Sequence, residues 1–272
     1  MQLMAWQRHV LEVALEVDDA GKLVYRNVVV IVPRQCGKST LLFVLRTFRS
    51  TRPDLFGGPQ VTVFTAQDRG EALRKWVDVQ LPVLQSSSLA PDIAQIRRSN
   101  GKEGLSWVNG SREVISATTA VSAHGETVDL AILDEAWAQT DSRMEQAFAP
   151  AMITRPCPQS WVVSTAGDHR SIYLRDKLDA GRKAVDNGVE TGLCFFEWSA
   201  PDDADIGDPA VWAEAIPALG ETIGVDAIAA NWQTMSGPEF ARAHLCVWPT
   251  SHVLDPPIFG RELIESLIVE ET

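Results

Sequence analysis

Apolar and polar positions fall along this chain in blocks of two different periods. Residues 23–32, LVYRNVVVIV, are β-branched and apolar almost throughout, the pattern of a strand buried on both faces of a parallel sheet. The chain then runs through PRQCGKS into TLLFVLRTFRS, which predicts a helix with its apolar side turned inward. Residues 61–65 predict a second strand leading into another helix-like stretch, AQDRGEALRKWVDVQLPVL. Residues 105–108 and 113–117 flank Asn109-Gly110, a dipeptide that favours a tight hairpin turn. Further strands are expected at 128–133, 160–164 and 192–198, with a charged helix over 172–187 between the last two. Strands alternating with helices imply a mostly parallel α/β sheet.

Beyond residue 199 the texture changes. PDDADIGDPAVW is an acidic, turn-rich segment in which Asp208-Pro209 can open a short helix. Residues 220–248 predict two helices split by Ser236-Gly237-Pro238, and Pro256-Pro257 marks a linker before a short acidic helix. The pattern therefore predicts a core over 1–199, a lid over 200–250 and an acidic linker over 251–272.

Composition narrows the class. With 272 residues, 45% hydrophobic and 22% charged, the chain can bury a sizeable core, which excludes wholesale disorder. No apolar run approaches the roughly 20 residues that cross a bilayer, and the N-terminus has no signal-peptide pattern. Cys36, Cys157, Cys194 and Cys246 are scattered without a CxxC pair, and no histidine has zinc-binding spacing. The net charge is −12, but residues 201–272 alone hold 13 acidic and two basic residues. The remaining body is nearly neutral and can carry a basic face toward a polyanion.

The sharpest chemical signal is Val32-Pro33-Arg34-Gln35-Cys36-Gly37-Lys38-Ser39-Thr40, set between a buried strand and a helix. Gly37 lets the backbone curl so that successive N–H groups face an anion at a helix N-terminus. Lys38 can reach β- and γ-phosphates, and the Ser39 hydroxyl suits a magnesium shell. The usual first glycine is absent, its place taken by Val32. An ordinary strand-to-helix turn with an exposed lysine is the competing account, and Cys36 would be a space-filler whose alkylation blocks nucleotide binding.

Some 95 residues downstream, Ala131-Ile132-Leu133-Asp134-Glu135 ends an apolar strand in two carboxylates. That places Asp134 at the carboxyl edge of the sheet, where ligands bind in open α/β folds. Asp134 would hold magnesium, and Glu135 would orient and deprotonate the attacking water. A helix N-cap with a first-turn acid would look similar. Ser164-Thr165-Ala166-Gly167 closes the next strand, and Thr165 can sense a γ-phosphate there; Ser, Thr and Gly also suit a plain turn.

At these residues the sequence resembles the ATPase portion of the large terminase subunit of tailed bacteriophages. Trp6-Gln7-Arg8 resembles the family's adenine-recognition glutamine motif, PRQCGKST its variant phosphate loop, LDEAW its Walker B strand, and STAG its coupling motif. Thr65-Ala66-Gln67, Ser122-Ala123-His124-Gly125 and residues 240–245 share the family's flavour. The resemblance spans roughly residues 4–250. It implies a RecA-like (ASCE) P-loop NTPase fold with a small C-terminal helical lid.

It also implies an ATP- and Mg²⁺-dependent motor that drives double-stranded DNA into a procapsid. Implied partners are the portal protein, the small terminase subunit and further copies in a ring, usually a pentamer. A single chain in isolation would be a monomer of weak activity. The setting implied is the host bacterial cytoplasm and transiently the portal vertex, not a membrane or the mature virion. In this comparison nucleotide binding falls to Gln7 and residues 33–40, metal binding to Ser39 and Asp134, and catalysis to Glu135, Lys38, Arg34 and Thr165. Family members also carry a C-terminal nuclease domain, for which this chain leaves no room, so no nuclease activity is expected of it.

The family uses an arginine from a neighbouring subunit, sometimes placed shortly before Walker B, where this chain has Ala123-His124-Gly125. Arg112, Arg143 and Arg155 are then the candidates. Arg97-Arg98 with Lys102, and Arg170 with Arg175 and Lys177, could touch DNA phosphates or simply be solvated. A helicase-like or repair ATPase, and a non-hydrolysing nucleotide-gated assembly module, are the alternatives.

Overall fold

A computed structural model describes residues 2–66, 69–99, 103–116, 127–139 and 141–248. Gln67, the segment 122–125, Lys102 and the acidic linker over 251–272 lie outside the described residues. The strands are β1 (Tyr25–Ile31), β2 (Val61–Ala66), β3 (Ile93–Arg97), β4 (Gly104–Trp107), β5 (Arg112–Ser116), β6 (Leu130–Asp134), β7 (Gln159–Ser164) and β8 (Gly192–Glu197). They form one sheet in the order β3-β4-β5-β2-β6-β7-β1-β8. From β5 to β8 every pairing is parallel, whereas β3-β4 and β4-β5 are antiparallel. The β4-β5 hairpin turns at Asn109-Gly110, with Gly110 at φ +90°, as the dipeptide predicts.

Helices cover both faces: α1 (Ala5–Ala14), α2 (Lys38–Thr51), α3 (Arg69–Lys75), α4 (Leu81–Gln85), α5 (Arg143–Met152) and α6 (Ile172–Asp186). A π-helical segment, Trp76–Gln80, joins α3 to α4. The period-two geometry of the central strands divides the core between the faces. Val28, Val30, Ile132, Trp161 and Val163 join one cluster with α1, α2 and α4. Val29, Ile31, Leu133 and Val162 join another with Tyr173, Leu174 and Leu178 of α6. This double burial explains why the middles of these strands, such as residues 28–31 and 131–133, are apolar on both faces.

The last helices are α7 (Pro209–Ala215), α8 (Val225–Thr234) and α9 (Gly237–Leu245). Asp208 caps α7 by accepting from the Ala210 N–H at 2.8 Å, ahead of Pro209 at the first helical position. Trp212, Ala215, Phe240 and Leu245 bury into the same cluster as Trp6, Val10 and the phosphate-loop residue Cys36. These helices are thus continuous with the main core. No helix among the described residues is long and apolar enough to cross a membrane.

At the amino edge of the sheet, a buried arginine holds loops together. Arg49 donates to Gln60 Oε1 at 3.1 and 2.7 Å and to the Cys157 carbonyl at 2.7 Å. Its guanidinium stacks over Phe56 at 4.1 Å. Burial pushes its pKa down to about 10, which leaves it charged at neutral pH. Arg46, one helical turn earlier, donates to Gln80 in the π-helical segment and lies over Phe64.

Candidate active site

Four segments meet at the carboxyl edge of the central strands. Ile31, the last residue of β1, is level with Ser164 of β7, and Asp134 of β6 is level with Val163. One strand therefore separates the phosphate-loop strand from the strand carrying Asp134, a spacing of about 10 Å between strand axes.

The loop over residues 32–37 leaves β1 and turns into α2. Gln35 and Gly37 both take left-handed backbone, at φ +61° and +91°. A Cβ at Gly37 would stand 2.7 Å from Gln7 Nε2 and 2.7 Å from Met4 Cε. Only glycine satisfies both the φ and the space there. Val32 N–H donates to the Ser164 carbonyl, and Arg34 N–H to the Ala243 carbonyl of α9. Lys38, largely buried, folds back to donate from Nζ to the Pro33 carbonyl at 3.2 Å. Ser39 and Thr40 follow it in the first turn of α2, half-buried, while Arg34 and Gln35 are exposed.

Gln7 is completely buried in α1. Its Nε2 donates to the Gly37 carbonyl at 2.9 Å and its Oε1 accepts from the Met4 N–H at 2.9 Å. In this structure the amide ties the Gly37 carbonyl of the phosphate loop to the start of α1 at Met4, a buttress that the sequence motif alone does not reveal.

Asp134 is buried, and burial, then the adjacent Glu135 charge, push its carboxyl up to about 6; Lys38, the Glu135 N–H and Lys75 pull the other way. The influence of Lys38 on Asp134 ties the loop to the β6 carboxylates electrostatically. Glu135 takes left-handed backbone at φ +54°, uncommon for a residue with a Cβ. Its N–H donates to Asp134 Oδ1 at 3.0 Å, and its Oε2 accepts from Trp137 Nε1 at 2.6 Å. A strained backbone at the end of a central strand is a common mark of a working site.

Thr165 is buried, with its hydroxyl 3.5 Å from the Cys246 sulfur. Cys246 caps α9 in left-handed backbone. Helix α9 and its cap accordingly touch both the phosphate loop, through Ala243, and the segment after β7, through Cys246.

The surroundings of Cys36 bear on how readily it could be alkylated at all. Cys36 is fully buried, and burial pushes its thiol up to about 11. A thiol so protected supplies little thiolate for alkylation. All four cysteines are free and buried, so native protein should show no fast-reacting thiol toward DTNB, while denatured protein should show four. Rapid labelling of native Cys36 would contradict this structure.

Two of the three candidate arginines lie at the edge opposite this chain's own phosphate loop. Arg112 opens β5 opposite Val61, the first residue of β2. Arg155 is bound to Asp129 Oδ1 at 2.5 Å and to the Pro59 carbonyl at 3.1 Å. Both lie at the amino end of the strands. Arg143 follows β6 on the carboxyl side, exposed and paired with Asp141 at 2.8 Å.

The sequence matches the family model for the terminase large subunit, ATPase domain, over residues 6–182. The chain belongs to that family. Among solved structures it is similar to the large terminase of bacteriophage HK97, at 21% identity and TM-score 0.75, covering 91% of this chain and 51% of that one. It is also similar to the ATPase domain of the Thermus phage P74-26 large terminase, at 17% identity and TM-score 0.53, covering 89% and 98%. A large terminase from a thermophilic bacteriophage, in complex with ADP, aligns at 13% identity and TM-score 0.57, covering 90% and 54%. No curated protein matches the chain. The chain spans about half the length of the HK97 large terminase. These likenesses agree with the RecA-like sheet flanked by helices that the resemblance implies.

This terminase ATPase domain carries several site residues to which sequence reasoning gives no role. Trp137 lies inside the LDEAW motif and Ser164 inside STAG, yet neither motif announces what they hold; Ser171, just before α6, carries no sequence signal. Among the described residues, no three His, Cys, Asp or Glu side chains gather to hold a metal ion. A nucleotide-bound magnesium ion needs fewer, because phosphate oxygens and waters fill most of its shell. The hard oxygen donors of Ser39 and Asp134 suit that ion, and a divalent charge would offset the burial of the Asp134 carboxylate.

Proposed function

We propose that this terminase ATPase domain hydrolyses ATP with magnesium and uses the cycle to drive double-stranded DNA into a procapsid. What supports it above all is the juxtaposition of the curled Gly37-Lys38 loop with Asp134 and Glu135, one strand apart on a single sheet edge. In this reading Gln7 supports the loop from below, residues 33–40 cradle the phosphates, and Lys38 leaves the Pro33 carbonyl for the β- and γ-phosphates. Ser39 and Asp134 would hold magnesium, which would draw charge from the phosphate oxygens. Glu135 takes a proton from water as its oxygen bonds to the γ-phosphorus; the bond from that phosphorus to the β–γ bridging oxygen breaks, and ADP leaves with the electron pair. Arg34 offers its charge to the γ-phosphate, and Thr165 passes the change to the lid through Cys246.

The core over 1–199 performs this chemistry, and the lid over 200–250 moves with it. A neighbouring copy in a ring, a pentamer by family likeness, supplies Arg143 to the developing charge. The portal and small subunit are the other partners, in the host cytoplasm. No nuclease activity is proposed for these residues.

ATP hydrolysis measured against chain concentration, with and without double-stranded DNA, tests this. Turnover per chain should rise with concentration and fall at least tenfold in Arg143→Ala. Concentration-independent turnover would refute the trans arginine, and strand separation of a tailed duplex would point to a helicase instead. ATP binding without any turnover would support a nucleotide-gated assembly module.

A further inference from the structure

Glu135 stands on a backbone whose left-handed turn does not by itself aim the side chain. Two hydrogen bonds fix the residue: its own N–H to Asp134, and the 2.6 Å bond from the Trp137 indole to Oε2. Trp137 is itself fixed at both ends of its backbone. Its N–H donates to Ser164 Oγ at 3.0 Å, and its carbonyl accepts from Ser171 Oγ. Ser171 Oγ in turn accepts from the Asp168 N–H at 3.1 Å. The Trp137 ring packs, partly buried, against the cluster that holds Tyr173 and Leu174 of α6. A rigid indole, anchored to β7 and to the start of α6, thereby reaches the carboxylate from the side.

We propose that Trp137 is the positioning residue for Glu135, and that Ser164 and Ser171 hold it in place. The proposal rests on Glu135 being the base. One carboxylate oxygen is tied by the indole, and the other takes the proton from water. The arrangement also links the base to the segment after β7, so a shift of Ser164 or Ser171 alters the aim of Glu135 without touching the nucleotide.

Steady-state hydrolysis and binding of a non-hydrolysable ATP analogue, measured on the full chain, test it. Trp137→Phe keeps the ring packing and removes the N–H donor. The kcat should fall about tenfold or more, the order expected for one hydrogen bond to a charged group. KM and analogue affinity should stay within about twofold, a split that general destabilisation would not produce. Ser171→Ala should lower kcat by less, and the double variant should be no slower than Trp137→Phe alone.

An unchanged or raised kcat in a folded Trp137→Phe overturns the proposal. Should that variant not fold, Ser171→Ala decides: a lowered kcat at constant KM supports the proposal, and a wild-type kcat overturns it. Glu135→Gln in the same assay separates the two layers. If it still turns over, the base assignment fails; if it is inactive while Trp137→Phe runs at full rate, only the positioning role fails.

Discussion

Glu135→Gln is expected to bind ATP as the unaltered domain does and to hydrolyse it about 10²–10⁴-fold more slowly. The amide has the size of the carboxylate and can still accept from the Trp137 indole, so the local geometry should survive. The variant loses the proton acceptor. It also removes a negative charge beside Asp134, one of the causes that push the Asp134 carboxyl up to about 6. Asp134 is then better able to carry its own charge, so a weaker hold on magnesium would not explain the slow turnover. Single-turnover hydrolysis with a parallel binding titration of fluorescent ATP checks both halves. Near wild-type turnover would remove Glu135 from the chemistry.

The largest stability effect should come from the other edge of the sheet. Arg49→Ala is expected to destabilise the domain by about 3–5 kcal/mol, because it leaves Gln60 Oε1 and the Cys157 carbonyl buried without their donor. In a chain of this size that lowers the thermal midpoint by roughly 10 °C. Below that midpoint, nucleotide binding should be retained, since Arg49 lies about three turns along α2 from Lys38 and faces the amino-edge loops. Thermal unfolding by circular dichroism measures it; a change within about 1 kcal/mol would mean that the guanidinium holds nothing together.

The central strands are legible in the sequence because burial on both faces leaves few polar positions to confuse the pattern. Val28, Val29 and Val30 point to alternating sides yet are all buried. Edge strand β3 is not legible, since its five residues mix partly buried and exposed positions without alternation. Helix α5 is hidden as well; Pro150 inside it breaks the usual helical signature. The phosphate loop and the β6 carboxylates can be named from residue type and order alone. Their support cannot. Arg46 and Arg49 belong to a residue type that normally stays at the surface, and their burial depends on Gln60, Gln80 and Phe56, which are not their neighbours in sequence. The Trp137–Glu135 bond is hidden for a similar reason, since nothing in the letters DEAW announces left-handed backbone at a glutamate.

The lid helices have a consequence for how this protein is made. Phe240 and Leu245 share one apolar cluster with Trp6, Val10 and Cys36, and the Ala243 carbonyl receives the Arg34 N–H. During translation helix α1 and the phosphate loop leave the ribosome long before their lid partners do. Until α9 has emerged as well, the loop after β1 lacks its Ala243 partner and the nascent chain must keep an unfinished apolar surface in water.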